Sequence, residues 1–188
     1  YAVERFRLPE TLKLSVHSGS DKFSLYGPIG TCLRKVDAGI HLKTAGTTWL
    51  EELIGLAEAG GHGLDIAKGF YERALSRFDE LCEPYAPVID IRTDNLPDAA
   101  TVNAWTGAQF ANALRHDTTC SAFNPDIRQL LHVAYKLAAE AGNDYLDALD
   151  NAADTIAAHV TENLYERHIK RIFAPETGDV TRDDARPR

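Results

Sequence analysis

Two short stretches of this chain alternate apolar and polar residues and then break into a polar, glycine-containing turn. Leu12-Lys13-Leu14-Ser15-Val16-His17 runs into Ser18-Gly19-Ser20-Asp21-Lys22, and Ile40-His41-Leu42-Lys43 runs into Thr44-Ala45-Gly46-Thr47. Side chains on a strand alternate between faces, so Leu12, Leu14 and Val16 share one face while Lys13, Ser15 and His17 share the other. By the same period, Ile40 and Leu42 oppose His41 and Lys43. In a barrel of parallel strands the outer face meets helices and the inner face, near the carboxyl ends, is where chemistry is done. Strands patterned in this way aim His17 and His41 into one shared cavity.

The remainder of the chain reads as mainly helical. Residues 1–11 form a lead-in in which Pro9 blocks a regular helix. Residues 23–35 have room for a short helix, weakened by Gly27, Pro28 and Gly30. Thr48 and Glu51 have capping-box spacing, which predicts a helix from there to Ala59, ended by Gly60-Gly61. Leu64, Ala67, Tyr71, Ala74, Phe78 and Leu81 recur at helical period and predict a helix over 64–82. Val88-Ile89-Asp90-Ile91 reads as a short third strand. Further helices are predicted over 98–115, with Pro97 in its first turn, over 126–141, ending at Gly142, and over 144–173. From Ala174 onward Pro, Gly, Asp and Arg dominate, which predicts a flexible tail over 174–188.

Strands separated by helices imply parallel pairing, so the expected fold class is α/β, with a single domain over 1–173. Two or three strands cannot close a barrel of eight. The expectation is therefore part of a (β/α) TIM-barrel-like fold, its C-terminal portion, carrying extra C-terminal helices. The absence of methionine suits such a fragment of a longer protein; a processed product suits it as well.

Composition narrows the function classes. Lysine and arginine number 20 against 28 aspartates and glutamates, a formal charge of −8. An acidic chain without a basic stripe is a poor nucleic-acid ligand. No run reaches the apolar length of a membrane span. Three widely spaced cysteines without a CxxC motif suit reduced thiols and a cytoplasmic setting.

The candidate residues cluster at the two strand ends. Imidazoles on neighbouring strands, roughly 4.8 Å apart, can both reach one cation at about 2.0–2.1 Å. His17 and His41 are therefore the candidate ligands of a divalent metal cation, the alternative being ordinary loop hydrogen bonds. Ser18 and Ser20 flank a glycine whose backbone N–H groups suit an anion. Asp21 is a candidate acid–base group and Lys22 a partner for a substrate carboxylate. Lys43 needs an anionic partner if it points into a barrel, and Thr44 stands beside it. Arg128 and His132, four residues apart, share a helix face and either contribute to a site or anchor the helix, the second being the reading favoured. His62, His116, His159 and His168 read as surface or packing residues, and Trp49 and Trp105 as core.

Four segments together resemble the tagaturonate/fructuronate epimerase family: His17-Ser-Gly-Ser-Asp-Lys-Phe-Ser24, His41-Leu-Lys-Thr-Ala-Gly-Thr-Thr-Trp-Leu-Glu51, Arg128-Gln-Leu-Leu-His-Val-Ala-Tyr-Lys136 and Glu162-Asn-Leu-Tyr-Glu-Arg-His-Ile-Lys-Arg-Ile-Phe173. Members are longer than this chain, and the similarity falls in their C-terminal part. The resemblance implies a divalent-metal-dependent enzyme that inverts C4 of a 2-keto hexuronate, interconverting fructuronate and tagaturonate. C4 is not adjacent to the ketone, so its proton is not directly acidic. A retro-aldol cleavage of C3–C4 followed by re-addition avoids that difficulty. Transient oxidation at C3 requires a redox cofactor, and the chain carries no Gly-x-Gly-x-x-Gly fingerprint. On this reading His17 and His41 hold the metal, Asp21 and Lys22 are catalytic, and Ser18, Ser20, Lys43 and Thr44 bind the sugar acid. A homo-oligomer is compatible with it. The competing readings are a metal-dependent aldolase or isomerase acting on another sugar acid, and a non-catalytic sugar-binding or oligomerisation module.

Overall fold

The computed structural model describes residues 2–9, 11–17 and 22–174, without the side chains of Ala2 and His17. The expected tail over 174–188 lies outside them apart from Ala174. After a short helix α1 (Ala2–Phe6), the chain forms strand β1 (Leu14–His17), helix α2 (Phe23–Lys35) and strand β2 (Ile40–Lys43). The two strands pair in parallel, Leu14 opposite Ile40 and His17 opposite Lys43. This β-α-β unit is the one the alternation predicts. A parallel pair needs a crossover, and α2 supplies it. Helix α2 forms despite Pro28 because burial of Tyr26 and packing against α12 (Lys170–Phe173) outweigh one lost backbone bond.

A helical body follows: α3 (Ala45–Ala59), α4 (Gly61–Ser76), α5 (Phe78–Cys82), α6 (Ala99–Asn103), α7 (Gly107–Leu114), α8 (Pro125–Val133), α9 (Lys136–Ala141), α10 (Asn143–Asn151) and α11 (Ala153–Val160). A π-helical segment, Thr161–Ile169, carries α11 into α12. Helix α3 is the central element. Trp49, Leu50, Leu53, Ile54, Leu56 and Ala57 are all fully buried, and α4, α7, α8 and α11 pack around them. Trp49 donates its indole N–H to the Leu131 carbonyl at 2.8 Å and meets Phe70 edge-on at 4.9 Å. Trp105 is half-buried against the same core.

The structure corrects several expectations. Helix α3 begins three residues before Thr48, so the Thr48–Glu51 spacing is not a capping box. Thr48 lies inside the first turn and returns its hydroxyl to the Thr44 carbonyl at 3.1 Å. The helix does end at Gly60, whose φ of 74° suits a residue without Cβ. The region 64–82 divides into α4 and α5 at Arg77. The region 98–115 divides at Ala104–Thr106, where Thr106 and Gln109 make a true capping box for α7.

Val88–Ile91 is not a strand. The Asp90 amide donates to the Gln129 side-chain oxygen at 3.0 Å, and the Arg92 amide donates to Asp126 at 2.9 Å. Side chains of α8 thus take backbone bonds that a sheet neighbour would otherwise take. The described residues form a mostly helical α/β structure with a two-stranded parallel sheet; a closed barrel is not among them. Leu14 is 80% exposed and Leu12 55% exposed, so the expected helix-covered face of β1 is open. Among the described residues no helix is long and apolar enough to cross a membrane. Cys32, Cys82 and Cys120 are free thiols.

Arg77 bridges Glu80 at 2.7 Å and Glu140 at 2.5 Å, and Lys136 also pairs with Glu80. Hydrogen bonds from Arg77 and then Lys136 hold the Glu80 carboxyl down at about 2, against an ordinary 4.5. A depressed carboxyl contributes stability above its unfolded-state value and loses it as pH falls through the folded one. The stability difference between native chain and Glu80→Gln should therefore be constant above about pH 5 and vanish towards pH 2. Urea midpoints measured across that window check it.

Candidate functional site

The parallel β-α-β unit puts the carboxyl ends of both strands, and the first turns of α2 and α3, at one end of the sheet. That end is where ligands bind in open α/β sheets. The register pairs Ser15 with His41 and His17 with Lys43, so these four positions share one face, as the alternation predicts. The side chain of His17, and Ser18, Ser20 and Asp21 altogether, lie outside the described residues. Lys22 stands half-buried at the head of α2. His41 and Lys43 are exposed, so this face is open where an enclosed cavity is expected from the sequence. Thr44 stands half-buried at the N-cap of α3, without a side-chain cap bond.

His41 Nδ1 lies 2.9 Å from Ser15 Oγ. In the tautomer in which Nδ1–H donates to that oxygen, Nε2 keeps its lone pair, which is the form a cation takes. No group of three or more His, Cys, Asp or Glu gathers as a metal-ligand set among the described residues.

Behind the strand ends lies a buried polar network. Glu51, Arg128, Asn163 and His168 are each 6% exposed or less. Arg128 lies 3.7 Å from the Glu51 carboxylate and donates to the Leu114 carbonyl at 2.8 Å. Asn163 donates its amide N–H to Glu51 at 2.7 Å, and His168 Nδ1 donates to the Asn163 carbonyl at 2.8 Å. Charges this deep persist only when paired and hydrogen-bonded. Asn163 and His168 both come from the π-helical segment, a rare geometry that recurs at functional sites.

Aromatic packing fastens the head of α2 to this network. The His168 ring lies 4.7 Å from Tyr26 and 5.3 Å from Phe23, and the Arg167 guanidinium sits 3.7 Å over Phe23. His116 packs against Phe23 and Phe123. On the other strand's side, His132 lies against the first turn of α3. A Cβ built at Gly46 would stand 2.3 Å from His132 Nε2.

The four resembling segments thus converge. The first supplies Phe23; the second supplies Gly46 and Glu51. The third contributes Arg128 and His132, and the fourth Asn163, Arg167 and His168. The helix-face pairing of Arg128 with His132 is legible in sequence, and Arg128 is an anchor as expected. Glu51, Asn163 and His168 are missing from the candidates read from sequence. The signal that could have found them is their place inside those segments.

This arrangement defines a mainly helical α/β protein with a polar strand-end face backed by a buried ion-pair network. The chain belongs to the tagaturonate epimerase family, whose match covers residues 7–173. A tagaturonate/fructuronate epimerase of Thermotoga maritima is 29% identical over 129 residues, which cover 69% of this chain and 23% of that protein. The match spans less than a quarter of that relative's length. No solved structure matches the chain.

Proposed function

We propose that this chain is the strand-end portion of a sugar-acid epimerase that interconverts fructuronate and tagaturonate by inversion at C4. The observation that carries the reading is the meeting of the four family-resembling segments at one end of the β-α-β unit. The unit is then part of a larger (β/α) barrel, and the outward-facing Leu12 and Leu14 belong to the surface its other elements cover.

His17 and His41 hold a divalent cation. The exposed His41 ring, tied through Nδ1 to Ser15, suits that role. When bound, such a cation polarises the keto group of the substrate. The chain's own residues do the rest. Lys22 and Lys43 pair with the carboxylate and hydroxyls of the sugar acid, and Ser18, Ser20 and Thr44 hydrogen-bond its hydroxyls. Asp21 takes the proton from the C4 hydroxyl as the C3–C4 bond opens, and returns a proton when it re-forms.

Incubating the full natural protein with fructuronate in deuterated water tests this. NMR should show tagaturonate that retains its original hydrogen at C4, because the retro-aldol route never breaks that C–H bond. Deuterium at C4 would remove the retro-aldol mechanism, and dihydroxyacetone with a three-carbon aldehyde acid as end products would favour an aldolase.

A further inference from the structure

We propose that this chain pairs with a second copy of itself through the exposed face of its C-terminal helix, the two helices lying antiparallel across a twofold axis near Ile169. This pairing does not depend on the epimerase reading.

The C-terminal helix runs through the π-helical segment Thr161–Ile169 into α12. One side of it is taken up by the fold. Asn163, His168 and Ile172 are buried. His168 packs on Tyr26 and Phe23, and the Ile172 carbonyl accepts from Arg34 at 3.3 Å. That carbonyl comes so close to α2 that a Cβ built at Gly30 would fall 2.2 Å from it. Tyr165, Ile169 and Phe173 stand on another side and are 50%, 42% and 51% exposed. Their spacing of four keeps them in one line. Four residues overshoot a turn of α-helix and fall short of a turn of π-helix. The step from Tyr165 to Ile169 therefore offsets the step from Ile169 to Phe173. Two aromatic rings and an isoleucine in a row, open to water, have the composition of an interface centre.

Charge selects the occupant. Glu166 and Lys170 each follow a ridge residue and form an ion pair at 3.1 Å. The acid lies towards the start of the ridge and the base towards its end. A parallel second helix sets Glu166 against Glu166 and Lys170 against Lys170. An antiparallel one sets Glu166 against Lys170 of the second copy twice over. It also sets Tyr165 against Phe173 twice over, and Ile169 against itself. Self-complementarity of this kind defines an isologous twofold contact. Residues 175–188 have Val180 as their only large apolar side chain, a poor match for a ridge of three.

Sedimentation equilibrium of the full natural protein, alongside Ile169→Glu, Glu166→Lys and Lys170→Glu, tests the pairing. The native protein should associate. Ile169→Glu should keep the native circular dichroism spectrum, since the position is exposed in the single chain, and should halve the native mass. Glu166→Lys and Lys170→Glu each bring like charges together across the axis and should weaken association by about tenfold. An equimolar mixture of these two should recover the native affinity, because each copy then meets opposite charge on the other. A contact within one chain gives no such rescue, so the mixture decides alone if Ile169→Glu does not fold. A native protein of single-chain mass overturns the proposal and leaves the ridge to the remainder of the chain or to an unlike partner. Native mass retained in Ile169→Glu, or a mixture no tighter than its parts, overturns it as well.

Discussion

Replacing Arg128 with methionine is expected to cost about 3–5 kcal/mol of folding stability. Glu51 is 4% exposed and Arg128 6% exposed, so the variant removes a cation from beside a carboxylate that water cannot reach. It also takes the donor from the Leu114 carbonyl. Methionine keeps most of the side-chain volume, so a cavity does not confound the result. Glu51→Gln in the same background should recover much of the loss, since an amide beside Asn163 needs no counter-charge. Urea denaturation of the two single variants and the double gives the coupling directly. A cost below about 1 kcal/mol for Arg128→Met would resemble an exposed pair and contradict the buried network.

The strand pair is legible in sequence because alternation at period two is a local signal, written into four to six consecutive residues. His17, His41 and Lys43 on one face follow from it without knowledge of the rest of the fold. The helical body is legible in outline, and its errors are local as well. Thr48 and Glu51 have capping-box spacing, yet Glu51 is taken up by Arg128 and Asn163. The apolar run at Val88–Ile91 suits a strand, yet Gln129 and Asp126 capture its backbone.

The network behind the site leaves no such local trace. Glu51 and Asn163 stand 112 residues apart, and neither periodicity nor composition links them. The place of His132 against Gly46 depends on how α8 docks on α3, which is a matter of tertiary packing. Family-resembling segments carry this information where spacing cannot, because they mark residues that meet only after folding.

The account depends above all on His17 and His41 acting together from adjacent strands. Elemental analysis of the full natural protein, alongside His17→Ala and His41→Ala, tests that most directly. The account predicts about one divalent cation per native chain, filling the open positions typical of a catalytic site. Each variant should remain folded, lose that cation, and convert fructuronate at least about 100-fold more slowly. Native metal content and native turnover in both variants would contradict it.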